Sequence, residues 1–151
     1  MIFEKNFDPI WADFDPNNHM RHTAYNNYAA EVRVALLTAK GYNMERLLEL
    51  DLGPVLLTEE TKFLREIRQG EKLRVDVELL GLSEDGRYWN MRHHLYKNDD
   101  KLSAVIKVEG AWIDLKTRKI KEPPREITEH FLALPKSEDY QIIVKEKKKT
   151  R

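Results

Sequence analysis

The sequence contains no cysteine. Disulfides, zinc–thiolate and iron–sulfur sites and a thiol nucleophile are thereby excluded. Glycine and proline are scarce, six of each in 151 residues. No interior stretch is rich in Pro, Gly or Ser, so nothing reads as a linker, and no internal repeat is visible. A single chain of this length buries roughly 70% of its unfolded surface without a staple. No run of 18 apolar residues exists, which removes a helical membrane span. The opening Met1-Ile2-Phe3-Glu4-Lys5-Asn6 lacks the apolar core of a secretory signal. The expectation is a cytoplasmic protein. Net charge is missing too, with 26 basic and 26 acidic residues. The balance hides a basic tail, Lys145 to Arg151, with five bases and one acid, leaving a body of 21 bases against 25 acids. An acidic body argues against a nucleic-acid partner, which calls for a basic face.

What is present is patterned. Ile2 to Trp11 reads as a strand that ends in a polar loop, where Pro16-Asn17-Asn18 signals a turn. From about Thr23 the period changes. Tyr25, Tyr28, Ala29, Val32, Leu36 and Ala39 recur at spacings of three and four, one apolar stripe of a helix that stops at Gly41. A short segment follows at Met44–Leu50, then a strand over Val55–Leu64. Leu73, Val75, Val77 and Leu79 alternate with charged residues, as a strand with one wet face requires. Ser83-Glu84-Asp85-Gly86 reads as a hairpin turn. Tyr88–Tyr96 turns Trp89, Met91, His93 and Leu95 to one face, and the next strand does the same with Ala104, Ile106, Val108, Gly110 and Trp112. Thr128–Leu134 suits a short helix. Strand, helix and then hairpin-linked strands predict an α+β architecture, an antiparallel sheet of about five strands on one long helix. The domain spans residues 1–134, and 135–151 form a C-terminal extension. Trp89, Trp112 and Tyr88 are candidates for a surface between copies of the chain.

Chemistry concentrates in Asp13 to Tyr25, between the first strand and the helix. An EF-hand calcium loop would need glycine where Asn18 stands and a Glu where Ala24 stands. Asp15, His19 and His22 have the residue types of a metal site, with His93-His94 as a distant complement. Asp13-Phe14-Asp15 matches the spacing of a phosphoryl-transfer nucleophile but lacks the parallel sheet around it. The fourth reading needs only the loop and the helix. A carboxylate placed before a helix start can serve as base or nucleophile, while the free N–H groups there polarise a carbonyl and hold its oxyanion.

The segment Trp11-Ala12-Asp13-Phe14-Asp15-Pro16-Asn17-Asn18-His19-Met20-Arg21-His22-Thr23-Ala24-Tyr25 resembles the signature of the 4-hydroxybenzoyl-CoA thioesterase family of hotdog-fold proteins, with Glu31 and Arg33 in the helix that follows. A second likeness covers Leu57 to Glu71, a polar start, a Phe63-Leu64-Arg65 centre and a Gly70-Glu71 turn. Asn18 stands where the family has glycine, and His22 where it often has asparagine. The resemblance implies a hotdog fold, a homodimer or homotetramer, and hydrolysis of an acyl thioester of CoA or of an acyl-carrier protein. No metal or resident cofactor is implied, since CoA or phosphopantetheine arrives with the substrate. By motif position Asp15 is the catalytic carboxylate, the backbone near His22 is the oxyanion donor, and His19 orients Asp15 or lines the groove. Tyr25, Tyr28 and Ala29 would lie along the acyl group. Glu59 or Glu60 would reach in from a neighbouring subunit, and Arg65, with Lys62 and Arg68, would meet phosphates. A hotdog dehydratase and a non-catalytic acyl-thioester binding or scaffold protein are the rival readings.

Overall fold

The computed structural model describes residues 2–145, so residues 146–151 of the basic tail lie outside the described residues. Strand β1 (Phe3–Phe7) leads through a 3-10 turn at Trp11–Asp13 to helix α1 (His22–Thr38) and the short α2 (Met44–Glu49). Four strands follow, β2 (Leu52–Phe63), β3 (Leu73–Ser83), β4 (Tyr88–Lys97) and β5 (Lys101–Asp114), and then α3 (Arg125–Leu132) and β6 (Lys136–Ile143). The sheet runs β1-β3-β4-β5-β2 with antiparallel pairing throughout, and β6 adds to β3 in parallel. β1 and β6 share one edge of β3, the first beside Leu73–Val77 and the second from Leu79 to Ser83. The sheet wraps α1, the hotdog arrangement.

The sheet therefore has six strands where about five were expected. Lys136–Ile143 has too many charges and too little alternation to be read as a strand, and its pairing partner lies more than fifty residues away. β1 is shorter than Ile2–Trp11 because Pro9 has no N–H for a ladder and the chain turns after it.

The inward sets meet as the two periods require. Leu73, Val75, Val77 and Leu79 of β3, Met91 and Leu95 of β4, and Ile106 and Val108 of β5 are buried, as are Tyr25, Ala29, Val32 and Leu36 of α1. Burying a Leu or Val side chain contributes roughly 1.5–3 kcal/mol, so this interface dominates the stability of the fold. At its C-terminal end α1 leaves carbonyls without helical partners. One of them, Leu36, accepts from His130 Nε2 of α3 at 2.7 Å, which fixes that ring's tautomer.

Trp89 and Trp112 are not the intersubunit residues that the sequence suggested. They are 4% and 0% exposed and belong to the chain's own core. Period two turns both toward the helix side, and α3 covers them. Phe131 stacks on Trp112 with ring centroids 6.3 Å apart and meets Trp89 edge-on at 6.4 Å. One run of exposed apolar side chains lies instead on β2 and just beyond it. Leu56, Leu57, Phe63 and Leu64 are 43%, 53%, 54% and 53% exposed. Among the described residues β2 pairs only with β5, so its other edge is open there. Among the described residues no helix is long and apolar enough to cross a membrane.

Candidate active site

The loop before α1 is a small hairpin with its own hydrogen bonds. Phe14 and Met20 form an antiparallel bridge, the Asp15 N–H donates to the His19 carbonyl at 2.9 Å, and the Asn18 N–H donates to the Asp15 carbonyl at 3.0 Å. Asn18 takes φ 64°, the left-handed region where glycine is usual and which Asn tolerates. Its side-chain oxygen accepts from the Gln69 N–H at 3.2 Å, and the Met20 N–H reaches the Ile67 carbonyl at 2.8 Å. The hairpin is thus fastened to the segment between β2 and β3.

The two aspartates of the loop do different things. Asp13 Oδ2 accepts from the Ile10 N–H at 3.0 Å and from the Tyr28 hydroxyl, and the Asp13 carbonyl accepts from the Arg21 N–H at 2.8 Å. These bonds tie the 3-10 turn to α1. Burial and the Asp13 hydrogen bond push the Tyr28 phenol upward, so it stays a donor. Asp15 Oδ1 accepts from the N–H groups of Asn17 at 2.9 Å and His19 at 3.1 Å, an Asx turn. Asp15 Oδ2 has no partner among the described residues.

The same is true of the helix start into which the hairpin runs. Arg21 is the N-cap without a side-chain cap bond, and the first turn holds no acid. The Ala24 N–H turns back to the Arg21 carbonyl at 2.9 Å, while the N–H groups of His22 and Thr23 are unpaired among the described residues. An uncapped start with free donors is a site for developing negative charge. His19 Nε2 lies 3.1 Å from Glu66 Oε2, and the His22 side chain is exposed.

The other residues singled out in the sequence are spread more widely. Tyr25 is buried and packs edge-on against Phe63 at 5.0 Å. Glu59 and Glu60 are exposed on β2. Arg65 donates to the Leu102 carbonyl at 2.6 Å, and Arg68 lies 3.8 Å from Glu66. Glu31 is exposed, and Arg33 turns inward. His93 and His94 occupy opposite faces of β4, and the described residues hold no cluster of three or more His, Asp or Glu side chains suited to a metal.

One polar pair escaped the sequence reading. Arg33 Nη1 lies 2.9 Å from His93 Nε2, and His93 Nδ1 lies 2.7 Å from the Asp76 carbonyl. A guanidinium can only donate and a carbonyl can only accept, so His93 carries its proton on Nδ1 and is neutral. The available signal was a histidine on an otherwise apolar face, a residue that needs a partner there. Burial first, and the Arg33 charge second, hold His93 down to about 3. The unfolded chain takes up that proton near pH 6.5. The stability this group contributes is therefore complete above about pH 6.5 and is lost as the pH falls toward 3. His94 acts in the opposite sense, because its hydrogen bond with Asp76 raises it, and its contribution fades as the pH rises through that raised value. The expected result is a urea midpoint that falls between pH 6.5 and 4.5, with a shallower fall in His93→Gln, which can hold both hydrogen bonds without charging. Identical slopes in the two proteins would mean that His93 is not the group responsible.

The comparisons with known proteins bear on the fold and the family. No curated protein matches the sequence. Among solved structures, a Staphylococcus aureus protein determined in complex with CoA aligns over 96% of each chain at 21% identity, with a TM-score of 0.80. A 1,4-dihydroxy-2-naphthoyl-CoA thioesterase from Synechocystis aligns at 15% identity over 89% of this chain and 98% of its own, with a TM-score of 0.78. A gentisyl-coenzyme A thioesterase aligns at 15% identity over 85% and 98%, with a TM-score of 0.75. At these identities the likeness is one of fold, the hotdog. The family model matches residues 10–131, from the loop through the sheet to α3. The chain belongs to the Thioesterase-like superfamily.

Proposed function

We propose that the protein hydrolyses an acyl thioester, of CoA or of an acyl-carrier protein, to the free acid and the thiol. One observation carries the reading: among the described residues Asp15 keeps one carboxylate oxygen unpaired on the hairpin that runs into an uncapped helix start, where the N–H groups of His22 and Thr23 are also unpaired. The thioester carbonyl would take those donors. Asp15 would then attack the carbonyl carbon, or remove a proton from a water that does so. Collapse of the tetrahedral adduct breaks the C–S bond and expels the thiolate, which takes up a proton; where Asp15 itself attacked, water then opens the resulting mixed anhydride, releasing the acid and restoring the carboxylate. His19, joined to Glu66, borders the same loop. No metal takes part in this scheme, and CoA or phosphopantetheine enters with the substrate. The CoA-bound and thioesterase neighbours support the substrate class.

The test is thiol release from a panel running from acetyl- to palmitoyl-CoA with benzoyl- and phenylacetyl-CoA, followed by acyl-carrier-protein esters. Release that depends on Asp15 is the expected result. Hydration of an enoyl ester in the same panel would favour the dehydratase, and binding without turnover would mark a scaffold protein.

The protein should also be a homodimer at least. β2 is a twelve-residue strand with one open edge and exposed Leu56, Leu57 and Phe63. A two-fold pairing of β2 with its copy would close that edge and bring Glu59 and Glu60 toward the neighbouring subunit. Sedimentation at micromolar concentration should give about twice the mass of 17.9 kDa, or about four times it for a tetramer. A strictly monomeric protein would remove this arrangement.

A further inference from the structure

A cavity of about 190 Å³ lies between the second half of α1, the start of β2 and the two buried tryptophans. Ala30, Val34, Pro54, Trp89 and Trp112 give it apolar walls, and Arg33 is the charged group among the lining residues. Neither Tyr25 nor Tyr28 lines it.

The cavity is short of acceptors. Arg33 is half-buried, its hydrogen-bond partner is a neutral imidazole, and no carboxylate lies at ion-pair distance among the described residues. Glu59, exposed on β2, acts on it only through its charge. A half-buried guanidinium against apolar walls, with no direct ion pair, is a place for an anion. The indole N–H groups of Trp89 and Trp112 also lack acceptors among the described residues, but their nitrogens are sealed from the hollow and meet no occupant of it. A hydrocarbon end would fill the space and leave the guanidinium unanswered.

We infer that this cavity receives the far end of the acyl group and that this end carries a carboxylate, so that the substrates are thioesters of dicarboxylic acids. The assignment of the occupant rests on the thioesterase reading above. α1 runs from the reacting end to the cavity. His22 and Arg33 are eleven residues apart, about 16 Å along the axis, and the Arg33 side chain leans back toward the helix start. That span suits a diacid of medium chain length. The guanidinium would bind the distal carboxylate through paired hydrogen bonds, and His93, fixed from behind by the Asp76 carbonyl, would hold it in place. Arg33 is here a specificity residue, remote from the bond that breaks.

The experiment compares succinyl-, adipyl- and suberyl-CoA with butyryl-, hexanoyl- and octanoyl-CoA, using wild type, Arg33→Met and Arg33→Lys. The expected result is a preference of about tenfold or more in kcat/KM for a diacid ester over its matched monoacid, abolished in Arg33→Met through KM and partly kept in Arg33→Lys. A second readout needs no turnover: free suberate should change the tryptophan fluorescence of the wild type at concentrations where octanoate does not. Should Arg33→Met fail to fold, the wild-type preference and the suberate response decide by themselves. A suberate response without hydrolysis of any ester would keep the carboxylate site and remove the thioesterase reading. Hydrolysis with no diacid preference and no selective suberate response would overturn the carboxylate site and leave the thioesterase reading standing. Silence in both assays would overturn both.

Discussion

Asp15→Asn should lower turnover by about 100-fold or more and leave the melting temperature unchanged. The two halves of that statement come from the two oxygens of one side chain. Oδ1 holds the hairpin by accepting from Asn17 and His19, and the amide oxygen of Asn can accept the same two bonds. What Asn removes is the negative charge and the basic or nucleophilic oxygen. Asp15→Ala removes both roles and should cost stability as well, by about 0.5–1.5 kcal/mol for the lost hydrogen bonding. His22→Ala should be milder than either, since the donor assigned to His22 is its backbone N–H. The measurement is steady-state thiol release beside thermal unfolding for all three variants. Full activity in Asp15→Asn would take Asp15 out of the mechanism. A His22→Ala loss as deep as that of Asp15→Asn would show that the imidazole itself takes part.

The largest effect on stability is expected at Gly110, far from the loop. Trp89 lies flat across this residue, and a Cβ there would sit 2.2–2.6 Å from three ring carbons. No carbon pair tolerates that approach, so the indole or the strand has to move. Trp89 has little freedom to do so, being buried and covered by Phe131. Gly110→Ala should therefore destabilise by about 2–3 kcal/mol, the upper part of the range for overpacked cores. For a chain of this size that is a drop of about 5–10 °C in Tm. Because Trp89 also lines the cavity, the same variant should weaken selection among acyl groups more than it weakens turnover itself. An unchanged Tm would mean that Trp89 does not lie against Gly110 in solution.

The loop before α1 was legible in the sequence because it is local. Pro16, Asn17 and Asn18 make a turn wherever they stand, and a carboxylate two residues before Asn17 can cap it. The stripe from Tyr25 to Leu36 and the alternation in β3, β4 and β5 are equally local. They place the helix, the sheet and the wet and dry faces before any contact is known. Such patterns depend on the 3.6 and 2.0 residue repeats of the backbone and on little else.

The tertiary structure decided what depends on distant partners. Sixty residues separate Arg33 from His93, and no local rule pairs them. The same holds for β6, which is a strand because β3 offers it an edge, and for Trp89 and Trp112, whose exposure turned on where α3 would settle. Alternation placed both tryptophans on a face but could not say whether α3 or a second subunit would cover it. The open edge of β2 is likewise a property of strand order. The sequence by itself thus determined the elements other than β6, the loop carboxylate and the helix start that follows it. Only the fold decided which donors were left without acceptors, because burial and pairing are properties of the assembled chain.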